Sequence, residues 1–301
     1  MAAAENGALP RGKVGGVADV VRDLPPALAE TGWRTTVLTP EYGLFANIAG
    51  ATPITSINVA FAGRTLGVDV VELPSIHASV RHLAFAHERF TPQGPGIYCD
   101  DGDERPFASD ASKFALFAAA TATWVSQMDT PPTVVHLHDW HAALYCLLRA
   151  RDPAFASLQT LHTVYTIHNL ALQGIRPLAN DESSLAAWYP QLAYRADDVV
   201  DPRFNDTINP MATAIRLADG VNTVSPTYAN EILKPNDPAR GFRGGEGLES
   251  VLADVASAGN LVGILNGCEY PKMDRRRPGW RRLLDTIARE VYEWIVSHRG
   301  P

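Results

Sequence analysis

Short apolar segments of strand length alternate with helix-forming stretches along this chain. Arg34–Thr39, Thr133–His138, Leu161–His168, Gly220–Val224 and Leu261–Leu265 read as strands of this kind. The alternation limits the fold more than any other property of the sequence. It implies a parallel sheet with helices on both faces, an α/β, Rossmann-like three-layer arrangement. Ligands of such sheets settle at the carboxyl ends of the strands. Four polar clusters fall at that edge: Lys13–Asp19, His138–His141, His168-Asn169 and Asn266-Gly267. Their convergence carries more weight than any one of them.

The first cluster, Lys13-Val14-Gly15-Gly16-Val17-Ala18-Asp19, reads as a glycine turn opening a helix over Val17–Ala29. Val17, Val20, Val21, Leu24 and Leu28 share one face at helical spacing. Gly15 and Gly16 allow close backbone approach, and the first-turn amides attract anions by ~0.3–1 kcal/mol. Lys13 adds a cation. A plain turn and a phosphate site both remain open on this motif, because neither established glycine-rich phosphate fingerprint is present. Asp19 is equally an ordinary first-turn acid. A turn of this type normally follows a buried parallel strand. Met1–Pro10 has no β-branched run, so that strand is absent or reduced to an Ala2–Ala4 stub. Loss of a central strand would expose two sheet edges, so weak stability and aggregation are expected.

Elsewhere the chain reads more simply. Ile54–Ala60, Leu66–Glu72 and Val80–Ala86 are short strands, antiparallel in part, and Gly94–Arg105 is a loop. Ser112–Met128 is an apolar helix with a Phe114, Phe117, Trp124 stripe in the core. Asp139-Trp140-His141 is a turn before a helix over Ala142–Arg151. Leu185–Arg195 is a helix, whose Trp188 and Tyr189 suit packing or the lining of a groove. A last amphipathic helix covers Gly279–Ser297, with Leu283, Leu284, Ile287, Val291, Trp294 and Ile295 on its apolar side.

A net charge of −7 argues against a nucleic-acid footprint. No apolar run reaches the ~20 residues of a membrane span, and no secretion signal is evident. Three cysteines, far apart and in no C-x-x-C pair, fit a reducing compartment, so cytoplasm is the expected location. His136, His138, Asp139 and His141 carry metal-ligating atoms. Trp140, however, stands where the H-x-H-x-D-H pattern of binuclear zinc hydrolases has its aspartate. A ligand site, structural histidines and a metal cluster all remain possible on the motif, and no metal is expected.

KVGGVADVV, VVHLHDWHAAL, TVYTIHNLALQG, RLADGVNTVSPTYANEI and GLESVLADVASAGNLVGILNG resemble, in the same order, the N-terminal half of bacterial glycogen synthases and plant starch synthases. The resemblance implies a retaining glycosyltransferase of the two-domain GT-B fold, with ADP-glucose as donor, an α-1,4-glucan as acceptor and no cofactor. It implies that Lys13 lies by the donor phosphates, with Gly15 and Gly16 forming the turn, and Asp19 is a candidate substrate-binding residue beside them. His138, Asp139, Trp140 and His141 would lie by the donor glucose and acceptor, and His168 and Asn169 on the transferring sugar. Asn266 and Gly267 would border the donor. Asp139 and His168 are the implied catalytic residues. The family's tyrosine after the first loop is not evident, with Phe107 near its place. The usual N-G-[IV]-D reads Asn266-Gly267-Cys268-Glu269.

The resemblance covers one Rossmann-like domain, residues 1–272, followed by a linker and helix over 273–301. The resemblance does not reach the family's second, nucleotide-binding domain, which is expected to be missing. Little activity is therefore expected from this chain alone, and a separate C-terminal domain is its expected partner. A non-catalytic glucan-binding module and a relative using UDP-glucose are the alternatives.

Overall fold

The computed structural model describes residues 1–267 and 279–298. The chain divides into two compact units, Met1–Asn266 and Gly267–Pro301. Cys268, Glu269 and the basic run Arg275–Arg277 lie outside the described residues.

The first unit is built on a sheet whose strands are β1 (Thr35–Pro40), β2 (Thr52–Phe61), β3 (Arg64–Leu73), β4 (Val80–Ala86), β5 (Val134–His138), β6 (His162–Ile167), β7 (Gly220–Thr223) and β8 (Leu261–Gly263). One half runs β2-β3-β4-β1 and the other β5-β6-β7-β8. Within the first half, β2–β3 and β3–β4 are antiparallel while β4–β1 is parallel, Thr35 pairing with Val80. The other half is parallel throughout.

The expected gap at the centre is filled. Ala2 bridges in parallel to Leu38 of β1 and to Leu137 of β5. Its amide donates to the His136 carbonyl at 2.7 Å, and its carbonyl accepts from the His138 amide at 3.1 Å. Leu38 donates to the Met1 carbonyl at 2.8 Å. The stub thus satisfies both flanking ladders, and Ala2 and Ala3 are wholly buried. The two bare edges expected from the sequence do not occur, because a few alanines suffice where neighbours on both sides supply the hydrogen bonds.

Helix α1 (Gly16–Glu30) follows the glycine turn and runs through Pro25 and Pro26. It ends at Gly32, whose φ of +94° suits the left-handed position past a helix C-terminus. Helix α2 (Ala108–Ser126) is buried on nearly every side, as its alanine-rich, all-round apolar sequence requires. The Lys113 ammonium, fully buried, pairs with Asp110 at 2.6 Å and donates to the Ile97 carbonyl. Asp110 accepts from the Cys99 amide at 3.1 Å. This pair ties the Gly94–Arg105 loop to α2; removing either partner strands the other charge in the core.

Helix α3 is Asp139–Arg151 and begins directly at the end of β5. The turn expected at Asp139-Trp140-His141 is in fact the first turn of the helix. Asp139 makes the corner alone, at φ +51°. Leu185–Arg195 is not one helix: a single turn at Leu185–Trp188 stops before Pro190, and another covers Ala196–Val199. Trp188 is buried and its indole donates to Ser112, while the Tyr189 hydroxyl donates to the Ala115 carbonyl. Both belong to the core and not to a groove.

The remaining helices are α4 (Pro210–Leu217), α5 (Pro226–Glu231) and α6 (Glu249–Ser257). Asn209 caps α4 and Ser225 caps α5 through side-chain oxygens, each followed by proline at the first helical position. The second unit contains α7 (Trp280–His298), along which Leu284, Ile287, Val291 and Val296 are exposed. Among the described residues no helix is long and apolar enough to cross a membrane.

Candidate functional site

The carboxyl ends of the strands open into a cleft of about 620 Å³, within the ~300–1,000 Å³ typical of small-molecule sites. Gly15 and Gly16 form one wall, and Asp139, Trp140 and His141 the floor. His168, Asn169 and Asn266 also line it, as do Tyr98 and Cys99 from the loop that Lys113 secures and Phe107 at the start of α2. Segments more than 250 residues apart in sequence therefore meet at one place, as the sheet rule requires.

Asp139 is buried at the strand-to-helix corner. One carboxylate oxygen accepts the His168 amide at 2.8 Å. Burial pushes its pKa up to about 7, against the amides of His168 and Asn169, which favour the anion. The His168 ring meets His138 through Nε2···Nδ1 at 2.9 Å, and burial lowers its pKa to about 4. His141 lies against Trp140 and edge-on to Phe114, and burial lowers its pKa to about 3. The cleft thus offers a carboxyl poised to ionise near neutrality, neutral imidazole and an indole face. Such a set can orient hydroxyl groups and stabilise positive charge at a sugar carbon.

The glycine turn differs from its expected form. Glu5, buried in the first unit, accepts the amides of Val14 at 2.8 Å and Gly15 at 2.6 Å, and its other oxygen accepts the Tyr98 hydroxyl at 2.8 Å. Two of the turn's amides are therefore occupied, leaving Gly16 and Val17 as the cleft-lining start of α1. Lys13 and Asp19 do not line the cleft: they pair with each other at 2.7 Å, largely in solvent, and Arg22 also holds Asp19. His138 does not line it either, being wholly buried behind His168. Gly267 opens the second unit.

Glu5 and Tyr98 join the site from outside the sequence motifs. Glu5 had a signal, as the sole acid before Asp19 in a run of small residues. Tyr98 had none beyond its place in the Gly94–Arg105 loop, whose path depends on buried Lys113. Among the described residues no group of His, Cys, Asp or Glu could hold a metal ion. His136 instead bonds Thr166 at 2.6 Å.

A smaller cavity of about 180 Å³ adjoins the cleft and shares Phe107, Trp140 and Leu172 with it. Gly174, at φ +73°, forms its back. A Cβ there would stand 2.3 Å from Cε3 of Trp140. Gly174→Ala is expected to displace the indole and cost about 2–4 kcal/mol, from overpacking together with a left-handed backbone. Urea denaturation checks this; an unchanged midpoint would show that Trp140 is free to shift.

The family profile described as the starch synthase catalytic domain matches residues 1–254. A glycogen synthase of Anaeromyxobacter dehalogenans is 35% identical over 274 residues, covering 89% of this chain and 52% of that protein. One of Francisella philomiragia is 30% identical over 292 residues, covering 96% and 55%. Among solved structures, the catalytic domain of starch synthase IV from Arabidopsis thaliana, bound to ADP and acarbose, superposes with a TM-score of 0.72. Its identity is 26%, over 91% of this chain and 53% of the other. The chain spans about half the length of the curated relatives it matches.

Proposed function

The chain belongs to the starch synthase catalytic-domain family, a family of glycosyltransferases, and from that membership we propose that it forms the glucan- and sugar-facing half of a glucosyltransferase. The proposed reaction moves glucose from ADP-glucose to the non-reducing end of an α-1,4-glucan. The observation that carries this reading is the meeting of Gly16, Asp139, His168 and Asn266 in one cleft. ADP and acarbose, a nucleotide and a sugar analogue, are bound by the similar Arabidopsis protein. In the proposed chemistry the C1–O bond to the diphosphate breaks, the acceptor oxygen bonds C1 with retention, and the acceptor's hydroxyl proton passes to the departing diphosphate oxygen. Asp139 stabilises the positive charge at C1, and the first-turn amides of α1 meet the departing phosphate. Lys13 can join them by exchanging Asp19 for phosphate. No metal or cofactor takes part.

A second domain, supplying most of the nucleotide contacts, is the proposed partner; the unmatched half of the relatives has room for it. A cytoplasmic location belongs to the same reading, with Cys99 and Cys146 as free thiols. The test is incorporation of label from ADP-[14C]glucose into glycogen, with and without the separately expressed C-terminal half of the Anaeromyxobacter relative. Incorporation that needs the supplement is the expected result. Glycogen binding without incorporation under both conditions would leave a binding module instead. Preference for UDP-glucose in competition would reassign the donor.

A further inference from the structure

We propose that His138 fixes the tautomer of His168, so that His168 carries its proton on Nδ1 and offers the cleft a hydrogen-bond donor. His138 is then a positioning residue, buried behind the site and acting through its neighbour. The three imidazoles of His136, His138 and His168 lie in a row, with ring centroids 4.3 Å and 5.2 Å apart. Hydrogen-bond bookkeeping along the row assigns the protons.

The row is anchored at His136. The Thr166 hydroxyl has one proton and gives it to Oδ1 of Asn222 at 2.7 Å. It must therefore accept from Nε2 of His136, 2.6 Å away. His136 is the Nε2–H tautomer, with no proton to share with His138.

Between His138 and His168 a single proton fills the 2.9 Å gap from Nδ1 to Nε2. Burial holds both rings neutral near pH 7, so each carries one N–H. If His168 donated, His138 would have to place its own proton on Nε2. That atom is buried and has no partner. A buried N–H without an acceptor is among the rarest of polar groups, whereas an unmet lone pair is tolerated more often. The proton therefore sits on Nδ1 of His138 and points to His168. Nε2 of His168 is the acceptor, and its Nδ1 bears the N–H.

Nδ1 of His168 has no hydrogen-bond partner among the described residues, and the residue lines the cleft. Beside it stands the Asp139 carboxyl, which accepts from the backbone amide of the same histidine. The site then pairs one side-chain donor with one acceptor, a match for a sugar hydroxyl that must give and receive. The role of that donor rests on the function proposed above; the tautomer itself does not.

The test is a long-range proton–nitrogen NMR correlation on the full chain labelled with 15N-histidine at pH 7.5, without substrate. Loss of one ring system in His168→Gln assigns His168. Protonated-type Nδ1 and bare-type Nε2 are expected for His168, and both nitrogens should move towards averaged positions in His138→Phe. A bare Nδ1 in the wild-type spectrum overturns the proposal. So does a tautomer unchanged in a folded His138→Phe. If that variant does not fold, the wild-type spectrum alone decides. Because no substrate is present, a failed transfer assay and a wrong tautomer are separate results.

Discussion

Asp139→Asn is expected to lower glucosyl transfer by about 10²–10³-fold in the supplemented enzyme, while making the chain more stable at pH 8. The rate loss follows from deleting the negative charge beside the sugar carbon, in a buried site where one well-placed electrostatic partner is worth about that factor. Asparagine keeps an oxygen for the His168 amide, so the corner retains its shape. The stability gain follows from linkage. Burial raises the Asp139 pKa to about 7, above its unfolded value near 3.9. The folded state then binds the proton more tightly, and stability is lost as pH rises from about 4 to 7. A neutral side chain removes that loss, on the order of 4 kcal/mol at pH 8. Transfer by the wild type should correspondingly rise through about pH 7 as the carboxylate forms. Urea denaturation at pH 8 and a pH–rate profile check both halves. A variant that is less stable at pH 8 would mean that the buried carboxylate is held by more than its two amides.

Acidification is expected to unfold the first unit between pH 6.5 and 4. Burial holds His82, His136, His141 and His168 at pKa values of about 4, 3, 3 and 4. Each is below its unfolded value near 6.5, so the unfolded chain binds protons first as pH falls. The stability these rings contribute is whole above pH 6.5 and is lost on the way to their folded values. One imidazole held at about 4 accounts for roughly 3 kcal/mol. Several together rival the ~5–15 kcal/mol of an entire domain. Far-UV circular dichroism should show a cooperative loss centred near pH 5. Asp139 and Asp110, whose pKa values burial raises, act with the opposite sign but are outnumbered by the four imidazoles. A native spectrum at pH 4 would show that the imidazoles reach water before unfolding.

Much of this fold is legible in the sequence because its signals are local. Val134–His138 and His162–Ile167 are apolar runs that only a covered sheet can use, and Asn209-Pro210 and Ser225-Pro226 announce helix starts. What escaped depends on partners distant in the chain. Ala2 carries no strand propensity; Leu38 and Leu137 make it one. Glu5 becomes part of the glycine turn only when Val14 and Gly15 fold back onto it. His138 was expected in the cleft beside its sequence neighbours. Strand alternation turns it inward instead, so that it meets the substrate side only through His168. The Leu185–Arg195 helix failed at Pro190, whose ring cannot continue an α-helix.

The glycine turn and the His168-Asn169 turn are proposed to serve one sugar diphosphate. Amide hydrogen exchange of the chain with and without millimolar ADP-glucose tests this most directly. Slowed exchange is predicted at Val14–Ala18 and at His168–Asn169 together. Protection of only one of these segments, or of neither, would contradict a shared site.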